Sequence, residues 1–191
     1  MSSSRRTFLK TTGRAAGALA LTDPLAEIIK LAAQAPPITR PNIKGATWNT
    51  QFVKSYNAGI KAMKALPATD GRNWIYQGNM HGTTDSPLKP LWNTCEHGSF
   101  VFLSWHRMYL WYFERIIRKL SGDATFGLPF WDYTDPTQRA LPDVFRNPAN
   151  AATNNLFVAT KTATNPSGGR TSAVNGGGTL PASATQLDTA A

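Results

Sequence analysis

Three histidines and one cysteine are the residues of this sequence that point most directly to chemistry. The chain of 191 residues has only three histidines, His81, His97 and His106, and one cysteine, Cys95. The histidines all fall within 26 residues. Neutral imidazoles suit copper, zinc, nickel or iron, so the set indicates a metal site. By spacing alone, a histidine that satisfies its hydrogen bonds in a core is an equally good interpretation.

His97 and His106 cannot meet if both lie on one continuous helix. They are nine positions apart, and nine residues rotate a helix by about 900°, which is half a turn out of phase. Gly98 and Ser99 offer a break directly after His97. The sequence therefore predicts that His97 lies in the segment before the helix and that His106 lies on the helix itself.

The helix that carries His106 is predicted over residues 100–120, and Gly122 ends it. One stripe of this helix, at offsets of four, seven and eleven, consists of His106, Leu110, Phe113 and Ile117. This pattern predicts that His106 points into the core. Glu114 is predicted on the opposite, solvent-facing side, and Glu96 falls out of phase. No carboxylate ligand is therefore expected.

The other elements are predicted from periodicity and from helix breakers. Apolar residues at spacings of four, four, four and three predict a helix over 47–65. Glycines and prolines over 73–91 predict a loop that includes His81. Residues 147–191 are rich in Asn, Thr, Ala and Gly and predict a polar, irregular tail. Together these features predict an all-α fold with long loops.

Composition narrows the possible functions. The chain has 20 Lys and Arg against 11 Asp and Glu, a formal charge of +9, and 41% hydrophobic residues. That apolar content excludes full disorder, and one cysteine excludes an internal disulfide framework. The basic residues are scattered, so no nucleic-acid partner is expected. No apolar run is long enough for an ordinary membrane-spanning helix.

Residues 1–35 are predicted to be a leader sequence. Arg5 and Arg6 precede a short apolar stretch, and small residues follow it, in the order typical of a secretory signal. The twin arginines resemble the signal of the export pathway of that name, which implies a periplasmic or extracellular location. Residues 36–46, with three prolines, are predicted to be an extended lead-in.

The motifs around the histidines resemble a known family. The motifs are His81-Gly82, then Cys95-x-His97 and, after eight intervening residues, His106-Arg107. They are followed by the segment Leu-Pro-Phe-Trp-Asp-Tyr at 128–133. This arrangement is similar to the first copper-binding half, copper A, of tyrosinases and polyphenol (catechol) oxidases. The resemblance covers residues 47–146. It implies that the all-α chain is half of an antiparallel four-helix-bundle dicopper core.

The resemblance also implies residue roles. His81, His97 and His106 would hold the first copper, and Cys95 would form a thioether to His97. The complete family site holds two copper ions and oxidises phenols or o-diphenols to o-quinones with O2. No histidine follows His106, so residues 147–191 would lead to a missing copper B half. The chain is then expected to be truncated and inactive alone, with that half, a phenolic substrate and O2 as its partners.

Three other functions are consistent with these residues. A non-catalytic module or carrier would bind one copper ion through the same three imidazoles. A zinc hydrolase would keep an open water position beside three histidines, although no general base is evident nearby. An oxygen carrier would share the copper chemistry, and the export signal and the small size argue against it.

Overall fold

The computed structural model describes residues 38–160 and 170–181. This part contains four α-helices, α1 (Gln51–Ala65), α2 (Trp74–His81), α3 (Phe102–Ser121) and α4 (Ser172–Asn175), and two 3-10 helices, Pro136–Gln138 and Asp143–Phe145. Its extended segments form only isolated β-bridges, which confirms the all-α prediction. None of the described helices has the length and apolarity needed to cross a membrane. The predicted leader, 1–35, lies outside the described residues.

The core forms where α1 packs against α3. Val53, Ile60 and Met63 of α1 are buried together with Phe113 and Ile117 of α3. The predicted helix over 47–65 is correct except at its start, because α1 begins at Gln51. The reason is local, since the Thr47 and Thr50 hydroxyls accept hydrogen bonds from backbone amides and hold 47–50 in a turn.

Gly59 allows α1 and α3 to approach closely. A Cβ atom placed on Gly59 would lie 2.8 Å from Cγ2 and 3.3 Å from Cα of Ile117. Ile117 is fully buried and branched at Cβ, so it has little freedom to move aside. The absence of a side chain at residue 59 is therefore a packing requirement.

The segment over 73–91, predicted to be a loop, begins with helix α2, so that prediction is wrong. Asn73 is its N-cap: its Oδ1 accepts hydrogen bonds from the amides of Ile75 and Tyr76 at 2.9 and 3.2 Å. Its Nδ2 donates to the carbonyl of Leu66 at 2.7 Å. This cap outweighs the cost of Gly78 within the helix. His81 is consequently the last residue of a helix and not a loop residue.

The prediction that Glu114 faces solvent is also wrong. Its side chain is buried and accepts hydrogen bonds from Arg40 Nε at 2.9 Å, from the Leu128 amide at 2.8 Å, and from Arg118. The extended lead-in and the segment around Phe130 are joined to each other by two backbone hydrogen bonds, from the Ile43 amide to the Phe130 carbonyl and from the Phe130 amide to the Pro41 carbonyl. A buried carboxylate requires such partners, and here they tie three segments together.

The start of the polar tail is part of the core. Asn154 and Leu156 are buried, and Asn154 Nδ2 donates a hydrogen bond to the Val144 carbonyl at 3.0 Å. Further along, Arg170 Nη1 donates to the Phe145 carbonyl at 2.7 Å. The predicted irregular tail therefore anchors the region after α3 by side-chain amide and guanidinium hydrogen bonds.

Substituting Gly59→Ala is expected to lower the free energy of unfolding by up to about 2 kcal/mol. The gain of about 1 kcal/mol in helix propensity is outweighed by overpacking against Ile117, which costs about 1–3 kcal/mol. The matched control is Gly78→Ala in α2, where a Cβ meets nothing within 4 Å and a gain of up to about 1 kcal/mol is expected. Urea denaturation measures both. Equal stabilisation by the two substitutions would contradict the close packing of α1 on α3.

Candidate metal centre

The three histidines and the cysteine come together at one place. His81 ends α2, His97 lies in the loop before α3, and His106 lies in the second turn of α3. One ligand atom from each of these residues and from Cys95 lies within 4.8 Å of all the others. We call these four residues the His–Cys cluster. The predicted placement of His97 before the helix and His106 on it is confirmed.

The imidazole rings form a nearly equilateral triangle. Their centroids are 5.4 Å apart for His81 and His97, 5.6 Å for His81 and His106, and 5.4 Å for His97 and His106. The point equidistant from the three centroids therefore lies about 3.2 Å from each. An ion bound at about 2.0 Å from an imidazole nitrogen lies about 3.2 Å from the centroid of that ring, which matches this distance. The spacing of the rings thus fits one shared metal ion.

Backbone hydrogen bonding orients His106. Its Nδ1 lies 2.7 Å from the carbonyl oxygen of Phe102, which can only accept, so Nδ1 carries the proton. Its Nε2 is then left with a free lone pair on the side of Cys95. This is the usual way in which a neighbouring carbonyl fixes the tautomer and the direction of a metal-binding histidine.

The surroundings of His106 differ from the prediction that it points into the core. His106 is half-buried, and its ring lies 4.2 Å from that of Phe102 and 5.0 Å from that of Trp105. His81 and His97 are exposed in the part of the chain that the structure describes. His106 lies outside the core because only the C-terminal half of α3 packs into it: the buried residues of α3 begin at Phe113, whereas Leu103 and Met108 are exposed.

Cys95 lies between two of the rings. Its Sγ is 3.4 Å from Nε2 of His97 and 3.3 Å from Nε2 of His106. Partial burial, and then the nearby carboxylate of Glu96, raise the pKa of the Cys95 thiol above its usual value. The sulfur is within hydrogen-bonding distance of the free Nε2 of His106, so a Cys95 thiol can donate to that nitrogen.

Tyr109 sets the position of α2 relative to α3. Its hydroxyl donates a hydrogen bond to the carbonyl of Gln77 at 2.7 Å, four residues before His81. Its ring also stacks on Trp105, with centroids 5.2 Å apart. Sequence reasoning missed this contact, although Tyr109 lies on the helical stripe beside that of His106. The bond links the two helices that carry two of the three imidazoles.

A cavity of about 490 Å³ opens beside the His–Cys cluster. Its mainly apolar lining includes Tyr76, Met80, Trp105, Met108 and Tyr109. No residue of the His–Cys cluster lines it, and Trp105, whose ring also contacts His106, lies between the two features. The cavity is therefore a neighbour of the candidate metal centre and not part of it.

The fold and the cluster define a helical protein with a histidine-rich group able to hold a metal ion, and comparison with known proteins identifies the family. The family profile for the common central domain of tyrosinase matches residues 71–187, which is more than half of the chain. The chain therefore belongs to the tyrosinase family, as the sequence motifs predicted.

Its relatives are enzymes from plants and bacteria. Polyphenol oxidase II, chloroplastic, of Ipomoea batatas is 39% identical over an alignment of 105 residues, and the match covers 51% of this chain and 17% of that protein. Tyrosinase HcTyr1 of Hahella sp. (strain CCB-MM4) is 35% identical over an alignment of 103 residues, and the match covers 42% of this chain and 22% of that protein. The chain spans about a fifth of the length of these relatives.

The structural comparison agrees. The crystal structure of Grenache (Vitis vinifera) polyphenol oxidase matches with a TM-score of 0.54 and 29% identity. The match covers 68% of this chain and 38% of that one. The helical arrangement described above is thus shared with a solved member of the family.

Substituting Tyr109→Phe is expected to lower the free energy of unfolding by about 1 kcal/mol, because it deletes one intramolecular hydrogen bond between α2 and α3. Tyr112→Phe is the matched control on the same helix, since the Tyr112 side chain is 54% exposed and its substitution should change stability by less than about 0.5 kcal/mol. Urea denaturation of both variants makes the comparison. Equal effects would show that the Tyr109 hydroxyl does not link the helices.

Proposed function

We propose that this chain is the copper A half of a copper-dependent oxidoreductase that oxidises phenols or o-diphenols to o-quinones with O2. The observation that carries the proposal is the triangle of imidazoles, whose sides of 5.4 to 5.6 Å fit one ion. His81, His97 and His106 would hold that copper. Neutral imidazoles are ligands that bind copper well.

Copper would supply the redox chemistry, taking electrons from the phenol and passing them to O2. The chain's own residues do the positioning. The Phe102 carbonyl holds the His106 ring so that Nε2 faces the site, and the Tyr109 bond fixes the helix that ends in His81. The rings of Phe102 and Trp105 pack against His106 and cover part of its ring.

A second copper would require ligands from outside this sequence. The 191 residues contain three histidines, and the candidate metal centre uses all of them. The exposed apolar side chains of α3 support a further packing partner: Leu103 is 69% exposed, Met108 55% and Trp111 44%. Large exposed apolar side chains concentrated on one helix are typical of an interaction surface. We propose that a copper B half covers it and completes the four-helix bundle.

The substrate class is inferred from the relatives. Their names include polyphenol oxidases, a tyrosinase and a (+)-larreatricin hydroxylase, and all of these names indicate phenolic substrates or the addition of a hydroxyl group. We infer a phenolic substrate for the completed protein. Residues 1–35, with the twin Arg5-Arg6, support export across a membrane as a further part of the proposal.

The thioether between Cys95 and His97 is also a proposal. The 3.4 Å between Cys95 Sγ and Nε2 of His97 brings the sulfur next to the ring. Forming the sulfur–carbon bond would remove the thiol hydrogen and one ring hydrogen, and O2 would take up both hydrogens and two electrons to become H2O2. The protein would become lighter by two hydrogen atoms, a change that intact-protein mass spectrometry detects.

The test is to restore a second copper site. We would fuse the chain to the region that follows the matched segment in the Ipomoea batatas enzyme, load copper, and measure oxygen uptake with an o-diphenol. The fusion is expected to bind two copper ions and to oxidise the diphenol, whereas the chain alone should bind one ion and show no oxidation. His97→Ala in the fusion should lower the rate at least about 100-fold, because the copper loses one of three protein ligands.

Glu96→Gln is the matched control, since it alters the neighbouring exposed residue and should leave the rate within about twofold. A fusion that binds two copper ions and whose rate is unaffected by His97→Ala would contradict the proposal. One tightly bound copper in the chain, with no oxidation by a fully loaded fusion, would instead favour a non-catalytic copper module or carrier.

A further inference from the structure

We propose that Cys95 is a fourth protein ligand of the metal in the unlinked chain, so that the His–Cys cluster closes around a divalent ion such as Zn²⁺ or Co²⁺ as a three-histidine, one-thiolate site. The inference rests on the proposed metal centre. It adds Cys95 to the three histidine ligands. A metal ion held by four protein ligands has no free position for an exogenous molecule.

The distances around Cys95 fit metal ligation. In a tetrahedral site with metal–nitrogen bonds of about 2.0 Å and metal–sulfur bonds of about 2.3 Å, the sulfur lies about 3.5 Å from each ligating nitrogen. Cys95 Sγ lies 3.3 Å from Nε2 of His106 and 3.4 Å from Nε2 of His97. The sulfur therefore already occupies the position of a ligand relative to two of the imidazoles.

The hydrogen bond that orients His106 also supports metal ligation by Cys95. Because His106 donates from Nδ1 to the Phe102 carbonyl, the lone pair of its Nε2 faces the Cys95 sulfur. Cys95 Sγ and Nε2 of His106 lie 3.3 Å apart, within hydrogen-bonding distance, so the thiol proton can point at that nitrogen. A divalent ion would replace that proton, which passes to solvent, and the resulting thiolate and the imidazole would both bind the ion. No electron is transferred in this exchange.

Closure of the site has a functional consequence. Structural metal sites have four protein ligands, whereas catalytic sites keep one position open. Three histidines alone leave a position for an exogenous ligand, and a fourth ligand from Cys95 fills it. Cys95 would thus hold the chain in a closed, metal-loaded form, and a thioether to His97 would remove the thiolate and reopen the site.

The experiment uses the full chain, purified under reducing and metal-free conditions and titrated with Co²⁺. We expect one bound ion and a thiolate-to-cobalt charge-transfer band in the near ultraviolet. Cys95→Ser, a matched substitution of similar size, should abolish the band and weaken Co²⁺ binding at least about tenfold. Zn²⁺ should slow alkylation of Cys95 by iodoacetamide at least about tenfold, and Cys95 is the only thiol in the chain.

Three outcomes would overturn this inference. The first is Co²⁺ binding with a near-ultraviolet spectrum identical to that of Cys95→Ser. The second is alkylation of Cys95 that is equally fast with and without bound Zn²⁺. The third is a purified chain that is already lighter by two hydrogen atoms. Each would leave the metal centre intact provided that His106→Ala abolishes binding. Absence of metal binding in the unsubstituted chain would contradict the proposed function as well.

Discussion

The buried carboxylate of Glu114 is the interaction on which the arrangement around α3 depends. It accepts hydrogen bonds from Arg40 in the lead-in, from Arg118 one turn further along α3, and from the amide of Leu128. A charge removed from water is costly unless it is fully paired. This one side chain therefore fixes the direction of α3 relative to the segments on either side of it. The position of His106, two turns before Glu114, follows from that direction.

The candidate metal centre is built on fixed backbone. Of the three imidazoles, one ends α2, one precedes α3 and one lies within α3. The hydrogen bond from His106 to the Phe102 carbonyl orients one ring. The hydrogen bond from Tyr109 to the Gln77 carbonyl holds α2 against α3. Sites built on rigid elements with such supporting bonds keep their geometry before the metal binds. The exposed edges of His81 and His97 leave the site open on one side.

The sequence was sufficient for α1, α3 and the grouping of the histidines, because apolar periodicity and helix-ending glycine report local preferences. The loop prediction over 73–91 failed at α2. Gly78 disfavours a helix, but the side chain of Asn73 caps the first amides and starts one. The prediction for Glu114 failed for a different reason. Which face of α3 meets the lead-in is decided by contacts between residues 74 positions apart, and periodicity within one helix carries no information about them. The same limit hid the bond from Tyr109 to Gln77.

The most direct test of the account is X-ray absorption spectroscopy at the copper edge on the full chain loaded with one equivalent of Cu(I). Three imidazoles sharing one ion predict multiple-scattering features of three histidine ligands at about 2.0 Å, whether or not the Cys95 sulfur is also bound. After His106→Ala the spectrum should show one fewer imidazole, or no bound copper. A spectrum that needs fewer than three imidazoles, or one unchanged by His106→Ala, would contradict the convergence of the three rings on a single ion.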